Sequence, residues 1–220
     1  MDRLLVIGGS GFIGQEICRF ALAADYDVRS VSRGGRPDGT ADWIDQVSWT
    51  VGDVFSPHQW RDQLDSCDAV IHSIGTLHES PADGKSYERF NGDSTILTAL
   101  EAERAGVGSF VFISASAAPP TVREEYVSSK RRAERAISDL DLQTTTLRPG
   151  PIYGEGQPHF SEVVNAGFRL LDQIKPISKR LGVARPLPLY PVARAALAAA
   201  DPDRELPSVL NIEAIAAYRI

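Results

Sequence analysis

The chain has 220 residues, 43% hydrophobic, 24% charged and 8% aromatic, with a formal net charge of -6. That composition excludes a disordered, collagen-like or coiled-coil chain, the acidic balance argues against a general nucleic-acid binder, and no apolar run approaches the ~18 residues needed to span a bilayer. The length suits one large domain that buries roughly 70% of its unfolded surface and needs no disulfide or metal staple.

Met1-Asp2-Arg3 leads directly into Leu4-Leu5-Val6-Ile7 and then glycines. This is too short and wrongly flanked for a signal peptide, and no transit segment precedes it, so a cytoplasmic chain is expected. Further strands are predicted over Val28–Val31, Val47–Val51, Ala69–Ile74, Phe110–Ile113 and Thr144–Leu147. Helical periodicity marks Phe12–Ala24, Pro57–Leu64, Tyr87–Ala105 and Glu124–Asp139, with Ser56-Pro57 reading as an N-cap followed by Pro at the first helical position. Apolar runs alternating with helices predict an α/β fold: a doubly wound parallel sheet covered on both faces. After Gly154 the chain carries many prolines and one clear late strand, Val209–Ile212, and residues 155–220 read as a small substrate-side region packed on a core of residues 1–154. Cys18 and Cys67 have no motif spacing and read as buried free thiols.

The loop Gly8-Gly9-Ser10-Gly11-Phe12-Ile13-Gly14 joins the first strand to the first helix. A tight strand-to-helix turn needs residues without Cβ, and the backbone must come close to a pyrophosphate. The helix N-terminus then offers unpaired N–H groups to the anion. The second strand ends in Ser32-Arg33, with Arg36 nearby and no carboxylate to grip a ribose 2′-hydroxyl. A hydroxyl followed by arginine suits a 2′-phosphate, so NADP (NADPH) is preferred over NAD, against the alternative of a solvated loop arginine. Asp53, followed by Val54, either accepts the adenine amino group or simply forms a Gly-Asp turn.

Tyr126 and Lys130 lie four residues apart in a helical stretch and so share a face. A nearby cation favours the phenolate, which equips Tyr126 to exchange a proton with a carbonyl or alcohol.

The glycine loop, Asp53, the Tyr126/Lys130 pair and the run Leu147-Arg148-Pro149-Gly150-Pro151-Ile152-Tyr153-Gly154 together resemble the short-chain dehydrogenase/reductase superfamily, in its extended or atypical branch. The resemblance implies a Rossmann-like fold. It also implies Tyr126 as acid/base, Lys130 lowering its pKa and holding the nicotinamide ribose, and Ser73-Ile74-Gly75 touching the cofactor. Pro149 and Ile152 would line the nicotinamide pocket. Asn91 falls where the superfamily often has an asparagine that kinks a helix or supports a proton relay, or else it is an ordinary helix residue. The substrate-orienting Ser or Thr of the superfamily falls on Ala115, leaving Ser114 or Ser116 as substitutes. Within the branch, Val47-Ser48-Trp49-Thr50, Val70–Gly75, Tyr126–Ala133, Arg148-Pro149-Gly150 and the tail from Arg185-Pro186 to Glu213 look like the dehydrogenase-like protein of the fungal coenzyme Q synthesis complex. The NADPH-holding accessory subunit of complex I is a more distant likeness. The resemblance implies ubiquinone biosynthesis as a setting, and either an oxidoreductase or a cofactor-holding structural or assembly role in a quinone-biosynthesis or respiratory complex.

Phe160, Val164, Phe168 and Leu171 recur at helical spacing, and from Asn165 to Tyr190 five basic residues face one acid, Asp172. The segment reads either as a helix packed on the core with a solvated basic face, or as a surface resting on an anionic inner membrane and admitting an apolar, quinone-like substrate. Assembly as a homo-oligomer or complex subunit is a further expectation. Pro186, Pro188 and Pro191 suggest an extended connector before a helix at Val192–Ala200. The four histidines, His58, His72, His78 and His159, lack metal-ligand spacing, and His72 reads as a satisfied core histidine.

Overall fold

The computed structural model describes residues 2–119, 122–173 and 181–219. Among the described residues nine strands run in chain order: β1 (Arg3–Ile7), β2 (Asp27–Ser32), β3 (Ser48–Val51), β4 (Ala69–His72), β5 (Ser109–Ile113), β6 (Gln143–Leu147), β7 (Ile152–Tyr153), β8 (Leu187–Pro188) and β9 (Val209–Leu210). Side chains alternate across a strand, so Leu4 and Val6 of β1 join one apolar cluster and Leu5 and Ile7 the other, all four fully buried. The same alternation runs through β5, where Val111 and Ile113 oppose Phe110 and Phe112. Such a strand is stable only when both faces are covered.

The first cover is α1 (Phe12–Ala23) with α5 (Leu189–Ala200), which supply Ile17, Cys18, Ala21, Ala193 and Ala196. The alanines of α5 let it lie close to its neighbours, and Ser109 Oγ donates to the Ala200 carbonyl at 2.6 Å. The second cover is α2 (Ser94–Arg104) with α3 (Glu125–Ser138), joined by Trp60 and Leu64 from the preceding turns.

Seven strands pair in parallel in the order β3-β2-β1-β4-β5-β6-β9. The chain winds outward from β1 to β3, then returns to β4 on the other flank of β1. This reversal leaves a crevice beyond the C-terminal ends of β1 and β4, where such sheets bind ligands.

Several local expectations are corrected. Pro57–Leu64 forms two 3-10 turns, Pro57–Gln59 and Arg61–Leu64, in place of one helix, while Ser56 stands at the N-cap and Pro57 at the first position as expected, without a side-chain capping bond. The predicted strand to Ile74 stops at His72, and just beyond it Ser73 N–H and Ser73 Oγ both donate to the Ile7 carbonyl, at 2.9 Å each. Within Tyr87–Ala105, Glu88–Asp93 is a π-helical turn that precedes α2. The late strand ends at Leu210, because Asn211 Oδ1 accepts the Ala214 N–H at 3.0 Å and caps α6 (Ile212–Ala216). Pro191 lies inside the first turn of α5, where its missing N–H costs no bond. Pro188 pairs in β8, which runs parallel to β7. Both cysteines are free and buried.

The predicted apolar stripe lies on and beside α4 (Glu162–Gln173), with Phe160 and Phe168 edge to face at 5.3 Å. Polar ties fasten this helix. Gly154 N–H donates to Asn165 Oδ1 at 3.0 Å, and Asn165 Nδ2 returns to the Gly154 carbonyl at 2.7 Å. Asp172 is buried, accepting from Tyr153 at 2.8 Å and from Arg219 at 2.6 Å. Val163 and Leu170 of α4 remain exposed. Lys175, Lys179 and Arg180 of the predicted basic segment lie outside the described residues. No helix among the described residues is long and apolar enough to cross a membrane.

The tightest packing is at Gly14, where an added Cβ would sit 2.2 Å from the Gly8 carbonyl oxygen and 2.6 Å from Gly9 Cα. Backbone cannot yield there as a side chain end can. Gly14→Ala is expected to cost about 1–3 kcal/mol, the usual penalty of overpacking, read as a lower urea midpoint with an unchanged m-value.

Candidate functional site

A cleft of about 490 Å³ opens at the point where the sheet order reverses. Its floor is the glycine loop. Gly8 has φ +88°, a left-handed conformation open to glycine, and its N–H donates to the Val31 carbonyl at 2.8 Å. Gly11 caps α1 with no side-chain bond, and the first turn of α1 holds no acid. The orphan N–H groups and the positive dipole end are therefore left for an external anion. Ser10, Gly11, Phe12 and Ile13 all line the cleft. Gly9 is set back from the lining. Its Cβ position is taken by Ser30, whose Oγ would lie 2.2 Å away, so glycine there serves packing.

Ser32, Arg33, Asp53 and Val54 line one end. Ser32 Oγ donates to the Gly35 carbonyl at 3.1 Å, which closes the loop. The Arg33 guanidinium lies 5.4 Å from the centre of the Phe90 ring, and Phe90 meets Phe55 edge to face at 5.5 Å. Arg36 is drawn away from this end by Asp45, with Nη2 to Oδ1 at 2.7 Å. Of the two roles weighed for Asp53 the turn is present, with Oδ1 accepting the Phe55 N–H at 3.0 Å, and the residue also lines the cleft.

Ser73, Ile74 and Gly75 form the wall after β4. Asn91, fully buried in the π-helical turn, holds the next residue by both backbone groups. Its Oδ1 accepts the Thr76 N–H at 2.7 Å, and its Nδ2 donates to the Thr76 carbonyl at 3.0 Å. Asn91 thus stands in a π-helical turn and is no ordinary surface residue of a helix, and its amide holds the wall at Thr76. His72 is the satisfied core histidine, between Ser94 at 3.2 Å and Thr95 at 3.4 Å, and burial drives it down to about 3.

Tyr126 and Lys130 reach the cleft together from α3, with Pro149 and Ile152 opposite. Lys130 Nζ lies 5.7 Å from the Tyr126 ring centre and donates to the Ile113 carbonyl at 3.0 Å. Burial pushes the Lys130 ammonium down to about 7, against the pull of Glu134. Burial, then Tyr87, push the Tyr126 phenol up, while Arg131 draws it down. Removal from water is thus the first cause acting on the phenol, and Lys130 is not among the neighbours that shift it.

Neither substitute serine is disposed as expected. Ser114 borders the cleft, but its hydroxyl donates to Glu134 Oε1 at 2.5 Å. Glu134 also binds Arg131 and Arg148, each at 2.5 Å. Ser116 does not line the cleft, and its hydroxyl donates to the Val183 carbonyl at 2.6 Å. Ala115 faces the cleft at the superfamily's Ser/Thr position.

The other end is walled by Thr76, Leu77, Lys85, Gln157, His159, Phe160 and Val183. Sequence reasoning missed Lys85, Gln157 and the cleft-facing place of His159, because no local pattern links residues 85 and 157–159. Among the described residues no group of His, Cys, Asp or Glu could hold a metal ion.

The family model described as NAD(P)H-binding matches residues 8–173. An uncharacterized chloroplastic protein of Arabidopsis thaliana is 34% identical over 202 residues, covering 90% of this chain and 66% of its own. MIOREX complex component 2 of Saccharomyces cerevisiae is 30% identical over 205 residues, covering 70% of this chain and 74% of its own. Ceramide reductase of Caulobacter vibrioides is 31% identical over 153 residues, 69% of this chain and 46% of its own. The chain thus spans between about half and three quarters of these relatives' lengths. Among solved structures, MoeE5 in complex with UDP-glucuronic acid and NAD matches with a TM-score of 0.71 at 24% identity, covering 96% of this chain and 76% of that one, a likeness of fold. The chain belongs to the NAD(P)H-binding family, within the atypical branch of the short-chain dehydrogenase/reductase superfamily.

Proposed function

We propose that the protein is an NADP(H)-dependent oxidoreductase that reduces an apolar carbonyl or quinone-like compound. The observation that carries this reading is one continuous cleft joining the uncapped N-terminus of α1 to Tyr126 and Lys130. The cradle fits a dinucleotide: added Cβ atoms at Gly8 and Gly14 would meet neighbouring atoms at 3.0 Å and 2.2 Å, so the approach is open only to glycine. Gly8 and the loop residues Ser10, Gly11, Phe12 and Ile13 would hold the pyrophosphate. Ser32 and Arg33 would receive a 2′-phosphate, and Pro149 and Ile152 would flank the nicotinamide. When bound, the nicotinamide supplies hydride chemistry.

The chain's own contribution is positional and protonic. Tyr126, kept protonated by burial, donates its proton to the oxygen of a carbonyl as that oxygen gains charge. Lys130, partly neutral near pH 7, gains its proton fully when ribose hydroxyls and substrate bring polar partners into the cleft. The apolar walls from Leu77, Phe160 and Val183 exclude water and suit a greasy substrate. The name ceramide reductase, carried by a relative, is consistent with a lipid-like substrate. A quinone setting, a cytoplasmic location with peripheral membrane contact through residues 160–190, and assembly as a homo-oligomer or complex subunit belong to the same proposal. A second reading has one observation in its favour. With Ala115 facing the cleft and Ser114 bound to Glu134, no serine at that position polarises the carbonyl, as suits a protein that holds NADP(H) as a structural or assembly element.

NADPH at about 100 times its Kd is expected to stabilise the chain by about 2.7 kcal/mol, a thermal shift on the order of 5–10 °C. NADH is expected to shift it less, and Ser32→Asp with Arg33→Ala to narrow that gap; no shift with either nucleotide removes both readings. Tyr126→Phe is expected to lower kcat by about 100- to 10,000-fold toward a panel of carbonyls and quinones while leaving the NADPH shift intact. Turnover untouched by the substitution removes the proton-donor role, and no turnover in the wild type leaves the holding role. Lys130 has a lowered pKa in the folded state, so between pH 7 and 10.5 the unfolded chain binds the extra proton and folding gains stability as pH rises. Urea midpoints at the two ends of that window are expected to rise in the wild type relative to Lys130→Met, which lacks this gain and loses NADPH affinity.

A further inference from the structure

Charge at the substrate end of the cleft has one sign. Lys85 and His159 line it, and among the described residues the only carboxylate on the cleft wall is Asp53, at the opposite end. The neighbouring acids are already engaged. Glu79 accepts the Tyr87 N–H at 2.9 Å and pairs with Arg123, and Asp83 accepts from the Ser80 hydroxyl at 2.5 Å. Lys85 has no ion-pair partner among the described residues.

The backbone that carries Lys85 is fixed. Ser80 and Lys85 form an antiparallel bridge, with N–H to carbonyl distances of 2.8 and 3.0 Å. The turn between them closes through Pro81–Asp83 and Gly84 at φ +66°. His159 N–H donates to Gln157 Oε1 at 3.0 Å, and its ring stands edge to face with His78, centroids 6.0 Å apart. Partial burial, then His78 and Lys85, hold His159 below its ordinary range. Lys85 is thus the principal positive charge contributed by the wall at this end near neutral pH. The surrounding wall is apolar, from Leu77, Ala117, Ala118, Phe160 and Val183. One cation set beside an apolar wall matches one monovalent anion on an apolar body, since a single ammonium neutralises a single negative charge.

We propose that the substrate is an apolar carbonyl compound that carries a carboxylate, received by Lys85 and His159 while its carbonyl faces Tyr126. This rests on the oxidoreductase reading and names the substrate class of the same site.

The test is calorimetric titration of the chain, with and without NADP, by γ-ketononanoate and by its methyl ester. The acid is expected to bind about tenfold more tightly than the ester, the worth of about 1.4 kcal/mol. Lys85→Gln is expected to erase that preference and Lys85→Arg to retain it. Lys85 sits on a hairpin turn outside the core, and a cooperative thermal transition at the wild-type temperature, read without nucleotide, reports that each variant is folded. Equal affinity for acid and ester, no detectable binding of the acid, or a preference unchanged in Lys85→Gln overturns the proposal. An acid preference that depends on Lys85 in a chain that fails to bind NADP supports the anion site and removes the oxidoreductase reading.

Discussion

The backbone contact between α1 and the end of β1 sets the geometry on which everything else depends. Gly14 lies so close to the Gly8 carbonyl and Gly9 Cα that no side chain fits between them. That closeness aims the helix N-terminus at the crevice. It also brings the left-handed Gly8 against the Ser73–Ile74 wall, whose atoms would stand 3.0 Å from an added Cβ. The two sides of the cleft are thus fixed against each other, α1 to β1 through main chain and Gly8 to the wall through the Ser73 and Ile74 side chains. An anion site built this way owes its strength to preset N–H groups and needs no lysine or arginine in the loop.

The opposite side of the cleft is held by charge. Glu134, almost fully buried on α3, joins Arg131 from its own helix, Arg148 from the end of β6 and Ser114 from the end of β5. Arg131 also donates to the Ala115 and Ser116 carbonyls, at 2.7 and 3.1 Å. Breaking a buried cluster of this kind costs about 3–5 kcal/mol, because the remaining charges lose their partner. The cluster holds the helix bearing Tyr126 and Lys130 to the two strands that face it. The cost is local: a hydroxyl that would otherwise be free to address a substrate is spent on structure.

Much of this was readable from the residues, for identifiable reasons. The core strands announced themselves because a strand buried on both faces is a short continuous apolar run, as Leu4–Ile7 and Phe110–Ile113 are. The glycine loop and the Tyr126/Lys130 pair were legible because their spacing is local. What stayed hidden is set by contacts across the chain. The π-helical turn is stabilised by Asn91 gripping Thr76, fifteen residues away. The fate of Ser114 depends on Glu134, twenty residues on. The phenol's proton affinity follows from burial, which the four-residue spacing of a tyrosine and a lysine does not encode. Lys85 and His159 belong to segments with no periodicity at all.

The tail divides between two jobs. β9 and α5 return to the sheet and complete its edge and one of its covers. The stretch that shapes the mouth, including residues 157–160 and α4, is hung from β7 by Asn165 and Asp172. The hairpin bearing Lys85 is likewise outside the sheet. Side chains at the mouth are therefore tied to few others, while those of the sheet interior are held by packing on both faces. A lineage built on this plan is free to diversify its substrates by rewriting two short surface segments while the nucleotide cradle is inherited unchanged.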